Sequence, residues 1–468
     1  MFEAGAQCGS QMDFTPLIAL PSLVALVVIW LSSVEKAVLW IYLPALLLLP
    51  NYFYFGTPAI NVAQYAIIPI GVAICWRAFN GKWKWSTLDA LVGAFVAWNF
   101  ISDYHAIGYT DILERLAWPV TLAVLPYMIG KTIIEQRGLR VAFIRRFVFF
   151  LFLDCLISAY EFRMGLNPVR ALFVLLFPST RWPGQVREGF FRVAGPFGHP
   201  ILMATVVGIA IILHRYITYL GLWERRFRLL PNLPISKERL ILIALLAGIL
   251  MTQSRGPWIA TIVGAVLAAC GASVRYKRAF RRALAGLLVA GCLILFVGKV
   301  YLADSGDGQA SEEKISAAYR TQLISRYQDI ALRQSFWGWG TSTWPKLRDM
   351  PSIDNTYLLF TLMHGLPGLI LYVLMMGVSF SRLLRRALSS SDLPSHDRAL
   401  LFVLFGIGLA IAVSTAAVFL GEQLYPLLFL FLGWGEACLA PSPRNGPALN
   451  EAVILEWRPK FQFRSIVS

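Results

Sequence analysis

Apolar runs of about 20 residues recur along most of this chain, and no other feature limits its fold so strongly. A helix rises about 1.5 Å per residue, so such a run matches a hydrocarbon core ~30 Å thick. Thirteen segments qualify, near 15–33, 37–54, 59–77, 86–103, 111–130, 141–162, 200–219, 238–253, 256–274, 283–302, 356–380, 399–419 and 422–440. In lipid the backbone must satisfy its own polar groups, which leaves helices for runs of this length. The expectation is an all-α polytopic membrane protein of about 13 transmembrane helices, with residues 1–468 as a single integral membrane domain. Composition agrees: 57% of residues are hydrophobic and 15% charged, against roughly 25% charged in soluble proteins.

The formal net charge is +16. In a soluble chain this would point to nucleic acid; among apolar spans the positive-inside rule accounts for it, and no nucleic-acid partner is expected. Most of the 42 Lys and Arg residues fall on alternate loops. These carry Lys36; Arg77, Lys82 and Lys84; Lys131, Arg137, Arg140, Arg145 and Arg146; Arg215, Arg225, Arg226, Arg228, Lys237 and Arg239; Arg275, Lys277, Arg278, Arg281 and Arg282; and Arg382, Arg385, Arg386 and Arg398. The same side takes the 441–468 tail, with Arg444, Arg458, Lys460 and Arg464, as cytoplasmic, and leaves the N-terminus outside. Residues 1–14 hold no Lys or Arg, so they lack a signal peptide's basic region, and the run from Pro16 reads as a retained first span. The six cysteines (Cys8, Cys75, Cys155, Cys270, Cys292, Cys438) show neither CxxC nor metal spacing. No disulfide framework or zinc site is expected.

Two segments on the outer side are long: a loop over 163–199 and a larger one over 303–355. Both carry arginines against the charge trend. The first has Arg163, Arg170, Arg181, Arg187 and Arg192; the second has Arg320, Arg326, Arg333 and Arg348, with Lys314 and Lys346. The tight turn Thr252-Gln253-Ser254-Arg255-Gly256-Pro257 places Arg255 at the same face. An anionic ligand at the outer leaflet would use these side chains; snorkelling to lipid phosphates is the alternative. Residues 312–334 have helical period, with Ile315, Tyr319, Leu323, Tyr327 and Ile330 on one stripe. Arg326 and Arg333 are expected inside that stripe and Arg320 at its edge. Such an amphipathic helix lies on the bilayer or over the bundle, and an arginine on its apolar face needs a partner or a ligand.

Arginine forks grip phosphate oxygens, and several together would hold a pyrophosphate and stabilise it as a leaving group. Neither GxxxxGK[ST] nor a strand-borne GxGxxG is present. Energy for synthesis outside the membrane must then arrive with the substrate, as in a lipid diphosphate-linked sugar. An acceptor hydroxyl needs a base. Asp354, beside Asn355 and Tyr357 at the start of a span, is either that base or the N-cap of a helix from Thr356. Glu422 either positions an acceptor or pairs with an arginine. His199, in Gly195-Pro196-Phe197-Gly198-His199-Pro200, is open between binding and turn-shaping, and His364 reads as a packed core residue. Trp337, Trp339 and Trp344 stack on sugars or belong to an interface belt.

Taken in order, these pieces resemble the O-antigen ligase and O-antigen polymerase superfamily, bacterial multi-spanning enzymes that use undecaprenyl-diphosphate-linked glycans. The resemblance covers roughly residues 190–370. It rests on Gly195 to Pro200, Thr252-Gln253-Ser254-Arg255-Gly256, Arg326 ahead of Trp337-Gly338-Trp339-Gly340, Asp354-Asn355-Thr356-Tyr357-Leu358 and Gly365-Leu366-Pro367-Gly368-Leu369. It implies a lipid-linked, GT-C-like glycosyltransferase architecture in the bacterial inner membrane, with the 303–355 loop periplasmic. Arg255 and Arg326 match the family's two essential arginines, and with Asp354 they form the expected catalytic set. Arg192, Arg320, Arg333, Asn355, Tyr357, Trp339, Glu422 and His199 form the expected substrate-binding set. No cofactor or metal is implied. The implied partners are a lipid-linked glycan donor, a glycan or lipid-linked acceptor and membrane lipids, and a chain-length regulator is admitted. Ligases of the family carry His-Asn ahead of Tyr-Leu, whereas this chain has Asp354-Asn355. That difference favours a polymerase of O-antigen or exopolysaccharide over a ligase acting on lipid A-core. A flippase of the lipid-linked unit is a third reading; it should show repeated halves, and no internal repeat is found.

Overall fold

The computed structural model describes residues 15–78, 83–108, 112–135, 137–177, 184–187, 189–227, 232, 234–303, 312–350, 352–389 and 393–440. Cys8 and the rest of 1–14, Lys82, Arg181, Arg228 and the 441–468 tail lie outside the described residues, as do the side chains of Lys314 and Ile315.

Helices dominate. In chain order they are α1 (Leu20–Leu31), α2 (Val34–Ala37), α3 (Leu43–Leu48), α4 (Val62–Arg77), α5 (Thr87–Ile107), α6 (Ile112–Pro119), α7 (Leu125–Ile129), α8 (Arg140–Met164) and α9 (Pro168–Leu176). After a short hairpin of β1 (Val186–Arg187) and β2 (Phe190–Phe191) come α10 (Pro200–Tyr219), α11 (Lys237–Met251), α12 (Arg255–Cys270) and α13 (Tyr276–Ala303). The last four are α14 (Glu312–Arg333), α15 (Thr356–Ser389), α16 (Ser395–Thr415) and α17 (Leu424–Leu439). Helix is present in each of the thirteen apolar segments. Four stretches are long and apolar enough to cross a membrane: Ile112–Ile134 (α6 and α7 joined by π-helical turns), Pro200–Tyr219, Thr356–Ser389 and Ser395–Thr415. Leu17–Leu31, Val62–Arg77, Arg255–Cys270 and Leu424–Leu439 are shorter apolar helices. The chain is an integral membrane protein of the all-α class.

α10 stands at the centre, buried on nearly every side from Pro200 to Ile217. A helix that is apolar all round belongs inside a bundle. α12 packs tightly on α16. A Cβ on Gly264 would lie 2.6 Å from the Gly406 carbonyl oxygen, and one on Gly406 would strike the Gly264 carbonyl in turn. Without a hydrophobic force between helices in lipid, such small-residue contact is what lets two backbones pack.

Cross-loop contacts sort the loops. Arg77 and Arg137 both pair with Glu35, at 3.1 and 3.5 Å. Arg140 bridges Glu135 and Asp397, the latter at 2.7 Å. The Tyr216 hydroxyl donates to the His396 carbonyl at 3.2 Å. Each joins segments of the basic set. At this end Lys131 lies 2.5 Å from Asp89 and donates to the Lys84 carbonyl at 2.8 Å, while the Tyr127 hydroxyl donates to Asp89 at 2.6 Å. Asp89 is 7% exposed and Lys131 6%. Removing one partner leaves a buried charge without compensation, so Lys131→Met should cost about 3–5 kcal/mol. Thermal unfolding of the detergent-purified protein reads this, and adding Asp89→Asn should recover most of the loss. A single variant melting like wild type would refute it.

At the other end, α15 breaks at Gly365, where φ is 67° and ψ −174°. Pro367 has no N–H for the Met363 carbonyl. That carbonyl accepts instead from Gly340 N–H at 2.9 Å and the Ser102 hydroxyl at 3.1 Å. The Leu362 carbonyl takes Trp339 N–H at 2.8 Å, and the His364 carbonyl takes the Trp98 indole at 2.8 Å. Gly338, with φ 75°, approaches the same backbone too closely for any Cβ. The Trp-Gly-Trp-Gly and His-Gly-Leu-Pro-Gly runs are thus two halves of one joint.

α14 lies over this joint. Leu323, Tyr327 and Ala331 pack with Trp344, Met350, Ile353 and Leu362 in a small core of their own, flanked by Tyr319 and Ile330. Arg326 and Arg333 are not on this face, contrary to the periodicity argument. Both are exposed, and Arg326 pairs with exposed Asp349. At about 100° per residue they fall on the shoulder of a stripe whose centre is set by Leu323 and Tyr327.

Candidate functional site

The site begins with the hairpin. Val186 pairs with Phe191 and Arg187 with Phe190, and the reversal runs through Gly189 at φ 79°. The hairpin docks on the turn between α11 and α12: Val193 N–H donates to the Met251 carbonyl at 3.2 Å. Arg192 then reaches three groups. Its Nε donates to the Thr252 carbonyl at 3.3 Å, Nη1 to Gln185 Oε1 at 2.7 Å and Nη2 to Ser254 Oγ at 3.0 Å. Arg187 donates to the Gln253 carbonyl at 3.2 Å. Gln253 has φ 49°, the one positive value at a non-glycine among the described residues. Strain of this kind gathers where a turn must aim its groups.

All three Arg192 partners are neutral oxygens. Burial lowers its pKa from the usual arginine value to about 10, with the charges of Arg187 and Arg320 adding to the effect. Three guanidiniums thus share one neighbourhood. Arg255, exposed, follows Ser254 as the first residue of α12. Ser254 makes no side-chain cap, so the first turn of α12 adds its helix-terminal potential at the same place.

Next come His199 and Asp354. Glu161, at the end of α8, accepts from Ala194 N–H at 3.0 Å and Gly195 N–H at 3.1 Å, which fixes the segment leading to His199. His199 caps α10: its Nδ1 accepts from Ile201 N–H at 3.2 Å. A neutral imidazole that accepts at Nδ1 carries its proton on Nε2. Burial holds His199 below the usual histidine range, with the Arg192 charge adding to this and the Asp354 charge opposing it. Asp354 also acts on Tyr319 of α14, whose hydroxyl pKa is raised by burial first and then by that carboxylate. Asp354 accepts from the Ser352 hydroxyl at 3.2 Å. The cap of α15 is made by Asn355, whose Oδ1 accepts from Leu358 N–H at 3.0 Å. The carboxylate of Asp354 is therefore not spent on capping.

The lowered His199 pKa has a consequence for stability. The unfolded chain takes up a proton near pH ~6.5 and the folded chain only at lower pH, so the stability is full above that value and falls as pH drops through it. His199→Asn keeps a good N-cap without a titrating ring. Its thermal midpoint should fall less than that of wild type between about pH 7.5 and about pH 5.5. Equal falls would refute the assignment.

Arg192 thus lies within electrostatic reach of Arg320 and His199, and His199 of Asp354, with Arg255 next to Ser254. The structure does not bring Arg326 or Arg333 to them. The Tyr357 hydroxyl turns inward to the Ala412 carbonyl at 2.9 Å, and Asn355 is occupied as a cap. Trp339 is half-buried, with its indole donating to the Ile330 carbonyl at 3.0 Å, so it ties α14 to the joint. His364 is packed as expected, 4% exposed. Glu422 pairs with no arginine among the described residues; its Oε1 accepts from the Tyr54 hydroxyl at 2.5 Å. Arg187 carried no signal beyond its outer position, and Tyr54 carried none.

Glu422 and Tyr54 line a cavity of about 410 Å³ between α5, α6, the start of α15 and the α16–α17 turn. Phe419 and Thr356 line it too. The Phe419 ring meets His199 edge-on, centroids 6.3 Å apart. The cavity and the arginine cluster are neighbours across these two residues.

Residues 240–373 match the family model described as O-Antigen ligase. The matched stretch runs from α11 into α15 and includes Arg255, Arg320 and Asp354, while Arg187, Arg192, His199 and Glu422 lie outside it. No curated protein matches the chain. The match supports the O-antigen ligase and polymerase superfamily, and with it a glycosyltransferase-type activity on lipid-linked glycans.

Proposed function

We propose that this chain, with its O-antigen ligase-type segment, is a polymerase of a bacterial surface polysaccharide. It transfers glycan from undecaprenyl diphosphate to a hydroxyl of a lipid-linked repeat unit, at the periplasmic face of the inner membrane and without a metal. The N-terminus is then periplasmic and the C-terminus cytoplasmic. One observation carries the reading: a carboxylate left free of helix capping, Asp354, acts electrostatically on His199, which also feels Arg192, itself under the charges of Arg187 and Arg320.

Each part has a task in the transfer. Arg192, Arg187 and Arg320, with Arg255 and the first turn of α12, hold the diphosphate. As the acceptor oxygen bonds to the anomeric carbon, its proton passes to Asp354. The bond from anomeric carbon to phosphate oxygen breaks, and its electron pair leaves with undecaprenyl diphosphate. The guanidiniums take up the charge that develops there, which is where fixed cations lower a barrier most. His199, a neutral donor through Nε2, orients the carboxylate or a phosphate oxygen.

The lipid-linked glycans of a deletion strain test the choice. A polymerase predicts single repeat units accumulating on the carrier outside the cytoplasm. Full-length polymer stranded on its carrier would make the chain a ligase, and units trapped inside would make it a flippase.

A further inference from the structure

Beside the arginine cluster lies a largely apolar cavity whose charged lining is of the opposite sign. The 410 Å³ cavity falls within the range of about 300–1,000 Å³ in which small ligands are held. Three carboxylates line it, Asp103, Glu114 and Glu422, against one cation, Arg115, which lies 3.7 Å from Asp103. Tyr54 and Trp118 form an aromatic wall, stacked with centroids 5.0 Å apart and planes 17° from parallel. Asn99 of α5 also lines the cavity. It is 7% exposed, and its amide oxygen has no hydrogen-bond partner among the described residues.

We infer that this cavity is the subsite for a sugar ring of the acceptor glycan, uncharged or bearing an amine, with the Asn99 side-chain amide hydrogen-bonded to one of its hydroxyls and the Tyr54–Trp118 pair backing its apolar face. The inference rests on the reading of the chain as a glycan transferase and assigns the second substrate its place. A side-chain amide left short of partners is costly to bury, so a ligand hydroxyl that reaches Asn99 has a ready partner. The carboxylate excess repels a diphosphate, and the arginine cluster attracts one, so the two substrates are sorted by charge. A lipid tail would fill the volume and leave Asn99 unsatisfied. Position agrees as well. Thr356 follows Asp354 by two residues, Phe419 touches His199, and Gln423, next to Glu422, donates to the Pro196 carbonyl at 2.8 Å. A ring seated here presents a hydroxyl at the edge shared with Asp354.

The test uses full-length protein in nanodiscs, titrated with glycan released by mild acid from the host's lipid-linked pool and so free of both lipid and diphosphate. Saturable binding is expected. Asn99→Leu (in α5) and Trp118→Ala (in α6) should each weaken it at least tenfold, Trp118→Phe less than threefold, and Arg192→Ala less than threefold. Thermal midpoints of all variants are measured alongside, and the two sites lie on different helices, so misfolding of one variant leaves the other as the test. The inference is overturned if wild type does not bind, if folded Asn99→Leu and Trp118→Ala bind like wild type, if Arg192→Ala is as defective as they are, or if phospholipid in the cavity is not displaced by the glycan. Glycan binding with these variant effects, in cells whose polymer is indifferent to Arg192→Ala and Asp354→Asn, would keep the sugar site and dismiss the transferase reading. Polymer that depends on Arg192 and Asp354, with no glycan binding here, would do the reverse.

Discussion

Arg192→Ala should lower polymer formation by about 10²–10³-fold, the range seen when one preorganised donor to a developing charge is removed. The size of the effect follows from geometry. Arg192 joins the hairpin to the 252–254 turn through Thr252 and Ser254, and it shares its neighbourhood with Arg187 and Arg320. Its loss removes a cation and loosens the turn that presents Arg255. Arg192→Lys separates the two effects. It keeps the charge, but one ammonium cannot serve Gln185, Thr252 and Ser254 from the directions a guanidinium fork covers. Activity between those of wild type and the alanine variant is expected. Polymer per cell, normalised to the amount of protein in the membrane, is the measurement. Wild-type polymer from Arg192→Ala would remove the diphosphate clamp from consideration.

Asp354→Asn should lower transfer by about 10²–10⁴-fold, as loss of a general base does. The start of α15 makes the result readable, because the cap belongs to Asn355. Asp354→Asn therefore leaves the helix intact and removes only the proton acceptor. Asn355→Ala does the opposite: it should cost about 1 kcal/mol of stability and leave most of the activity. Purified protein supplies the thermal midpoint of each variant, and single-turnover transfer of a lipid-linked donor supplies its rate. Full activity in Asp354→Asn together with an inactive but folded Asn355→Ala would exchange the roles of the two residues.

The two predictions differ in what the sequence could say of them. Asp354 was legible as a candidate, because an acid at the start of an apolar helix next to an outer loop has few structural tasks. Its competing role, capping, was decided only by which of two neighbouring side chains turns back to Leu358. Arg192 was one of several outer arginines, and nothing in the sequence set it above Arg326. The structure does so through contact with a turn 60 residues away. Arg326 shows the opposite case. Helical phase put it on the inner stripe, and a shift of part of a turn put it at the exposed shoulder beside Asp349. Trp339 was expected among the substrate-binding residues, yet its backbone N–H satisfies the Leu362 carbonyl beside the break at Gly365 and Pro367.

The sequence by itself determined the class of this protein. Apolar runs, the need of a backbone in lipid to bond itself and the alternation of basic loops are local or periodic properties, so they survive without coordinates. Those same properties set which loops share an end, and the contacts of Glu35, Arg140 and Tyr216 follow that division. Tertiary structure alone decided which side chains meet. Tyr54 and Glu422 are 368 residues apart and bonded at 2.5 Å, and no period or spacing encodes such a pair. The arginine cluster, the uncommitted Asp354 and the cavity beside them arise where separate helices end at the same level of the bundle. Which ends coincide there is fixed by packing, such as that of Gly264 on Gly406, and not by any one segment.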